Sequence, residues 1–117
     1  MSLTVIVAGA RTPIGKLSGA FASLSAQDLG GFAIKATLER AGISGDLVDA
    51  VLMGQVIQAG QGQITARQAA VKGGVPMSVN ATTINKVCWS ADDLHRRSHD
   101  QGRRSRHRYC RRHGVND

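Results

Sequence analysis

The first 88 residues predict an α/β fold, a βαβ-type mixed sheet with packed helices, and an irregular basic tail follows them. Three observations carry that prediction. β-branched apolar runs end at glycine or polar turns, as buried strands do. Helix-period segments lie between those runs, each with its own stop signal. Strands that alternate with helices give a parallel or mixed sheet, because a parallel neighbour needs a crossover.

Residues 3–8, Leu-Thr-Val-Ile-Val-Ala, form the first run, and Gly9 closes it. A loop follows over residues 9–16. Ser25-Ala26-Gln27-Asp28 has the form of a capping box, in which a hydroxyl and a carboxylate satisfy each other's orphan amides. Leu29, Phe32, Ala33 and Ala36 then recur at helical spacing, and Gly42 supplies the stop, so a helix is expected over residues 26–41. Residues 49–58 read as the second strand through Val51, Leu52, Met53, Val56 and Ile57. A helix over residues 64–72 follows, with Ala66, Ala69 and Ala70 allowing close packing and Gly73, Gly74 and Pro76 ending it. Residues 79–87 are the last strand, which delivers Cys88. The sequence contains no internal repeat.

Two glycine-rich stretches imitate nucleotide sites and fail on chemistry. Between Gly9 and Gly15 lie five residues where a phosphate-binding loop needs four. Pro13 removes a backbone donor there, and Leu17 stands where a hydroxyl should ligate magnesium. Gly60-Gln61-Gly62 lacks the third glycine of a dinucleotide fingerprint, with Thr65 in its place, and no ribose-binding acid follows at the required distance. Both are read as turns.

Charge divides the chain. The formal net charge is +7 over 117 residues, but residues 89–117 alone carry eight arginines against four aspartates and all four histidines. Such a tail is the electrostatic footprint of an acidic partner such as nucleic acid. Its aromatics, Trp89 and Tyr109, are too few for a base-stacking platform. Two cysteines make no disulfide framework, so a reducing, cytoplasmic compartment is expected. The run Val5 to Ala8 is too short to span a membrane and lacks the basic lead of a signal peptide.

Cys88 is the candidate catalytic residue. A cysteine just past a strand, where a helix should begin, meets backbone amides and a helix dipole that favour thiolate, the nucleophilic form. Thiolate attacks activated acyl groups. The competing reading is a small buried hydrophobe, the commonest state of free cysteine. No histidine precedes Cys88, so the first 88 residues hold no imidazole base for it.

Four segments in order then carry a resemblance. Ala10-Arg11-Thr12-Pro13-Ile14-Gly15, Met53-Gly54-Gln55-Val56, Ala66-Arg67-Gln68-Ala69-Ala70 and Asn85-Lys86-Val87-Cys88 resemble the opening motifs of the thiolase family, over essentially residues 3–88. The resemblance implies an incomplete thiolase-like N-terminal half. It implies acyl transfer in which Cys88 takes an acetyl group from acetyl-CoA and the enolate of a second acetyl-CoA attacks that thioester, or the reverse thiolysis of acetoacetyl-CoA. Asn-Lys-Val before the cysteine is more similar to the biosynthetic branch than to the long-chain degradative branch. Coenzyme A thioesters are then substrates, with no resident cofactor and no metal. Full-length members homo-oligomerise, and their base residues belong to later segments, so this chain alone is expected to be inactive.

After Cys88 the similarity fails. Only Ser90 matches the continuation Ser-Gly plus buried helix, and Asp92, Asp93, Arg96 and Arg97 could not be buried there without unpaired charge. Read one nucleotide later with free choice of synonymous codons, residues 102–116 can spell Ala-Gly-Glu-Val-Asp-Ile-Val-Ile-Ala-Gly-Gly-Met-Glu-Ser-Met. That is the strand and glycine-rich turn expected of a thiolase at this distance from the nucleophile. Residues 89–117 are therefore read as a frameshifted tail and residues 1–88 as the domain. Two readings compete: a nucleic-acid-binding protein with an arginine tail, and a non-functional product of a truncated gene. Zinc ligation by His107, Cys110 and His113 with His95 or His99 lacks a recognised spacing and is set aside.

Overall fold

The computed structural model describes residues 5–87. Its elements are α1 (Ala26–Ala41), a 3-10 turn at Gly45–Leu47, β1 (Ala50–Gly54), α2 (Thr65–Lys72) and β2 (Asn80–Ile84). β1 and β2 pair in parallel, with Ala50 opposite Asn80 and Gly54 opposite Ile84. α2 is the crossover between them, so the heart of the described chain is one βαβ unit. The described sheet has two strands, paired in parallel, as the alternation of strands and helices allowed.

α1 starts and stops where its local chemistry dictates. The Ser25 hydroxyl accepts from the Asp28 backbone amide, and the Asp28 carboxylate accepts from the Ser25 amide at 2.9 Å and from its hydroxyl at 2.6 Å. Gly42 ends the helix in the left-handed region at φ 66°, donating back to the carbonyls of Glu39 and Leu38. Asp28 also pairs with Lys72 in the last turn of α2. The Lys72 ammonium first, and the Ser25 donors second, hold the Asp28 carboxyl well below the usual carboxylate range. The pair joins the N-terminal turn of one helix to the C-terminal turn of the other, where each charge suits its helix dipole.

The core lies between α2, the sheet and one face of α1. Val51, Ala70, Val75 and Val79 are buried together, with Ile34, Leu38, Val48, Met53 and Ala81 packed on them. Ala66, Ala69 and Ala70 are buried as their small size anticipated. Gly31 is also buried, and a Cβ there would stand 2.7 Å from the Lys72 Cβ, so glycine sets how closely α1 approaches α2.

Three expectations are corrected. Residues 5–8 are irregular, with Val5, Ile6 and Val7 each more than two-thirds exposed, because β composition makes a strand only when a ladder partner is present. Strand 49–58 contracts to Ala50–Gly54, since β2 ends at Ile84; the last bond between them runs from the Gln55 amide to the Ile84 carbonyl at 3.0 Å. Likewise 79–87 contracts to Asn80–Ile84. The helical-period residues Leu29, Phe32, Ala33 and Ala36 form one face of α1. They line an open groove of about 300 Å³ with Arg11, Pro13 and Phe21, while Gly31, Ile34 and Leu38 face the core and α2.

Candidate functional site

Parallel strands with a helical crossover bring their carboxyl ends to one edge, the usual ligand side of an open α/β sheet. Gly54 and Ile84 both end there, beside the first turn of α2. α2 begins without a local cap. Ile64, at the cap position, is left-handed at φ 45° and offers no side-chain acceptor. Thr83 on β2 replaces it, its hydroxyl accepting from the Ala66 amide at 3.0 Å and lying 3.3 Å from the Thr65 hydroxyl.

Against this edge lies a cavity of about 60 Å³ lined by Gln27, Gly54, Gln55, Thr65 and Ala66 among others. Gln27 is buried, and its amide nitrogen donates to the Gln61 carbonyl. Among the described residues its Oε1 has no hydrogen-bond partner, nor has the buried Nη1 of Arg67. A buried amide oxygen left unpaired costs free energy on the order of 1–3 kcal/mol unless water reaches it, and this cavity has room for water.

Just beyond β2, the Asn85 side chain bonds backbone in two directions. Asn85 Nδ2 donates to the Val56 carbonyl at 2.7 Å, tying the exit of β2 to the exit of β1. Its Oδ1 accepts from the Val87 amide at 3.1 Å. Val87 stands at φ 52°, a conformation a β-branched residue adopts only against steric resistance. Cys88 is the next residue and lies outside the described residues, as do residues 89–117 with their histidines and Cys110. Among the described residues no group of three His, Cys, Asp or Glu could hold a metal, and no helix is long and apolar enough to cross a membrane.

Sequence reading singled out Asn85 only as part of a motif and passed over Gln27 and Thr83. A threonine in a strand is ordinary β composition, and nothing in its neighbours signals that it caps a helix 17 residues earlier.

Residues 4–93 match the family model for the thiolase N-terminal domain. The chain is 56% identical over 93 residues to the "Probable acetyl-CoA acetyltransferase" of Mycobacterium tuberculosis, a stretch covering 80% of this chain and 24% of that one. It is 54% identical over 90 residues to the acetyl-CoA acetyltransferase of Cupriavidus necator, covering 77% of this chain and 23% of that one. It is 57% identical over 86 residues to the mitochondrial acetyl-CoA acetyltransferase of Xenopus tropicalis, covering 74% of this chain and 20% of that one. The chain thus spans about a fifth to a quarter of the length of these relatives. With the βαβ unit, the four collinear motifs and this match in agreement, the chain belongs to the thiolase family, by its N-terminal domain.

Proposed function

We propose that Cys88 is the acyl-accepting nucleophile of a thiolase-type acetyl transfer, with acetyl-CoA and acetoacetyl-CoA as substrates and no resident cofactor. The observation that carries this reading is the family match over residues 4–93, within which Asn85-Lys86-Val87 runs off β2 directly into Cys88. Relatives named acetyl-CoA acetyltransferase support the acetyl group and its coenzyme A carrier.

In the condensing direction, the Cys88 thiolate attacks the thioester carbonyl of one acetyl-CoA. The bond from that carbonyl carbon to the coenzyme A sulfur breaks, and coenzyme A leaves as thiolate, which takes up a proton. A base removes a proton from the methyl group of a second acetyl-CoA. The resulting enolate carbon attacks the acetyl-cysteine carbonyl, acetoacetyl-CoA departs, and Cys88 returns as thiolate. Two acetyl-CoA thus give one acetoacetyl-CoA and one coenzyme A.

The base and the group that activates Cys88 come, on this reading, from segments outside the 117 residues, in a full-length homo-oligomeric and cytoplasmic enzyme. The residues that follow a change of reading frame between Cys88 and about Gly102 are not an evolved nucleic-acid module. Their arginines would hold phosphates at low salt without sequence preference.

The test is incubation of the chain with acetyl-CoA, followed by peptide mass analysis. Slow acetylation at Cys88 with no acetoacetyl-CoA cleavage is expected, because loss of a cooperating catalytic group costs several orders of magnitude in rate. Acetylation confined to Cys110 would sink the nucleophile assignment. Robust cleavage by the chain alone would show that it holds its own base.

A further inference from the structure

We infer that Asn85 is a positioning residue: its side-chain amide clamps the exit of β2 and holds Val87 in the left-handed conformation from which the backbone enters Cys88. The inference rests on the reading of Cys88 as nucleophile, but it is carried by different observations.

Asn85 uses both ends of its amide, and each end meets backbone. Nδ2 donates to the Val56 carbonyl at 2.7 Å, on the strand exit beside its own. Oδ1 accepts from the Val87 amide at 3.1 Å, two residues ahead, closing an Asx-type turn. The first bond fixes where the turn stands relative to the sheet, and the second fixes its internal shape. Val56 and Asn85 follow just after the paired ends Gly54 and Ile84, so the clamp continues the sheet edge where the ladder has stopped.

Val87 is the part under load. At φ 52° its Cβ crowds the backbone, and branching at Cβ worsens the crowding. A strained backbone persists only where its surroundings over-determine it. The Oδ1 bond to the Val87 amide supplies such a restraint. A nucleophile gains from being delivered in one orientation, and small misplacements are costly in rate. The turn therefore does for Cys88 what its own side chain could not do: it sets the direction in which the backbone arrives.

The experiment uses the full 117-residue chain and a thiol alkylating agent, iodoacetamide, at neutral pH. Peptide mapping gives separate rates for Cys88 and for Cys110, which is a control for the reagent. The variants are Asn85→Ala, Val87→Gly and the double variant, with circular dichroism on each. In the unsubstituted chain Cys88 should react faster than Cys110. Asn85→Ala should slow Cys88 by about tenfold or more, leaving Cys110 unchanged. Glycine adopts the left-handed region without penalty, so Val87→Gly should restore much of the Cys88 rate lost in Asn85→Ala. A merely structural loss would lower the helical signal, and glycine at position 87 would not then restore the rate at Cys88 selectively. If acetyl-CoA acetylates Cys110 and not Cys88 in the unsubstituted chain, the nucleophile reading falls and the positioning role with it. If Cys88 is faster but Asn85→Ala leaves it within about twofold, or if the two substitutions are simply additive, the clamp is wrong and the nucleophile reading survives.

Discussion

Thr83 on β2 caps α2, its hydroxyl accepting the Ala66 backbone amide at 3.0 Å. The first turn of a helix leaves orphan amides, normally met by a side chain just before it. Ile64 cannot meet them, so the strand that follows the helix in sequence secures the start of the helix that precedes it. This couples formation of α2 to formation of the sheet.

Thr83→Val should therefore destabilise the fold by about 1–2 kcal/mol, the usual cost of losing a cap. Thr83→Ser, which keeps the hydroxyl, should cost clearly less. Denaturant unfolding of the three chains side by side measures this, and equal losses for both variants would refute the cap.

Acid should weaken the contact between the two helices through Asp28. Its folded carboxyl is held below the usual range by Lys72 first and by Ser25 next. A lowered folded pKa means that the native state binds its proton less readily than the unfolded chain does. The contribution is thus fully present above the unfolded value of about 3.9 and is lost as pH falls through the lower folded value. Thermal midpoints followed from pH 6 downward should fall more steeply below pH 4 in the unsubstituted chain than in Asp28→Asn. Parallel curves would exclude Asp28 as the source.

Gly31→Ala sets two effects against each other. Alanine in a helix interior gains up to about 1 kcal/mol over glycine. The added Cβ would meet the Lys72 Cβ at 2.7 Å, closer than real contacts permit, and overpacking costs typically about 1–3 kcal/mol. The clash should win, giving a less stable chain by denaturant unfolding. A gain in stability would mean that α1 and α2 separate at no cost.

The gene offers a test that needs no protein. A one-nucleotide change of frame should lie between the codons for Cys88 and about Gly102, and reading through it should spell the thiolase strand and glycine-rich turn given above. Sequencing the locus decides the matter. Stop codons at once in the alternative frame, or codons that do not spell that segment, would make the arginine tail a binding element. A salt titration of DNA affinity with and without residues 89–117 would then measure it.

What could be read directly was what local chemistry closes within a few residues. The α1 limits follow from Ser25 and Asp28 three apart and from a glycine free to turn left-handed at Gly42, so sequence and structure agree there at both ends. Cys88, the proposed nucleophile, stood out by its place just past a strand and more specifically through its motif, since no histidine precedes it. By itself the sequence also determined the βαβ order, because continuous apolar runs alternate with helix-period segments. Only the tertiary structure decided which face of α1 is buried, that Thr83 caps α2, and that Asn85 bridges two strand exits. Each of these depends on a partner brought near by the fold from 17 or more residues away. A contact of that kind leaves no mark on the local pattern of either partner.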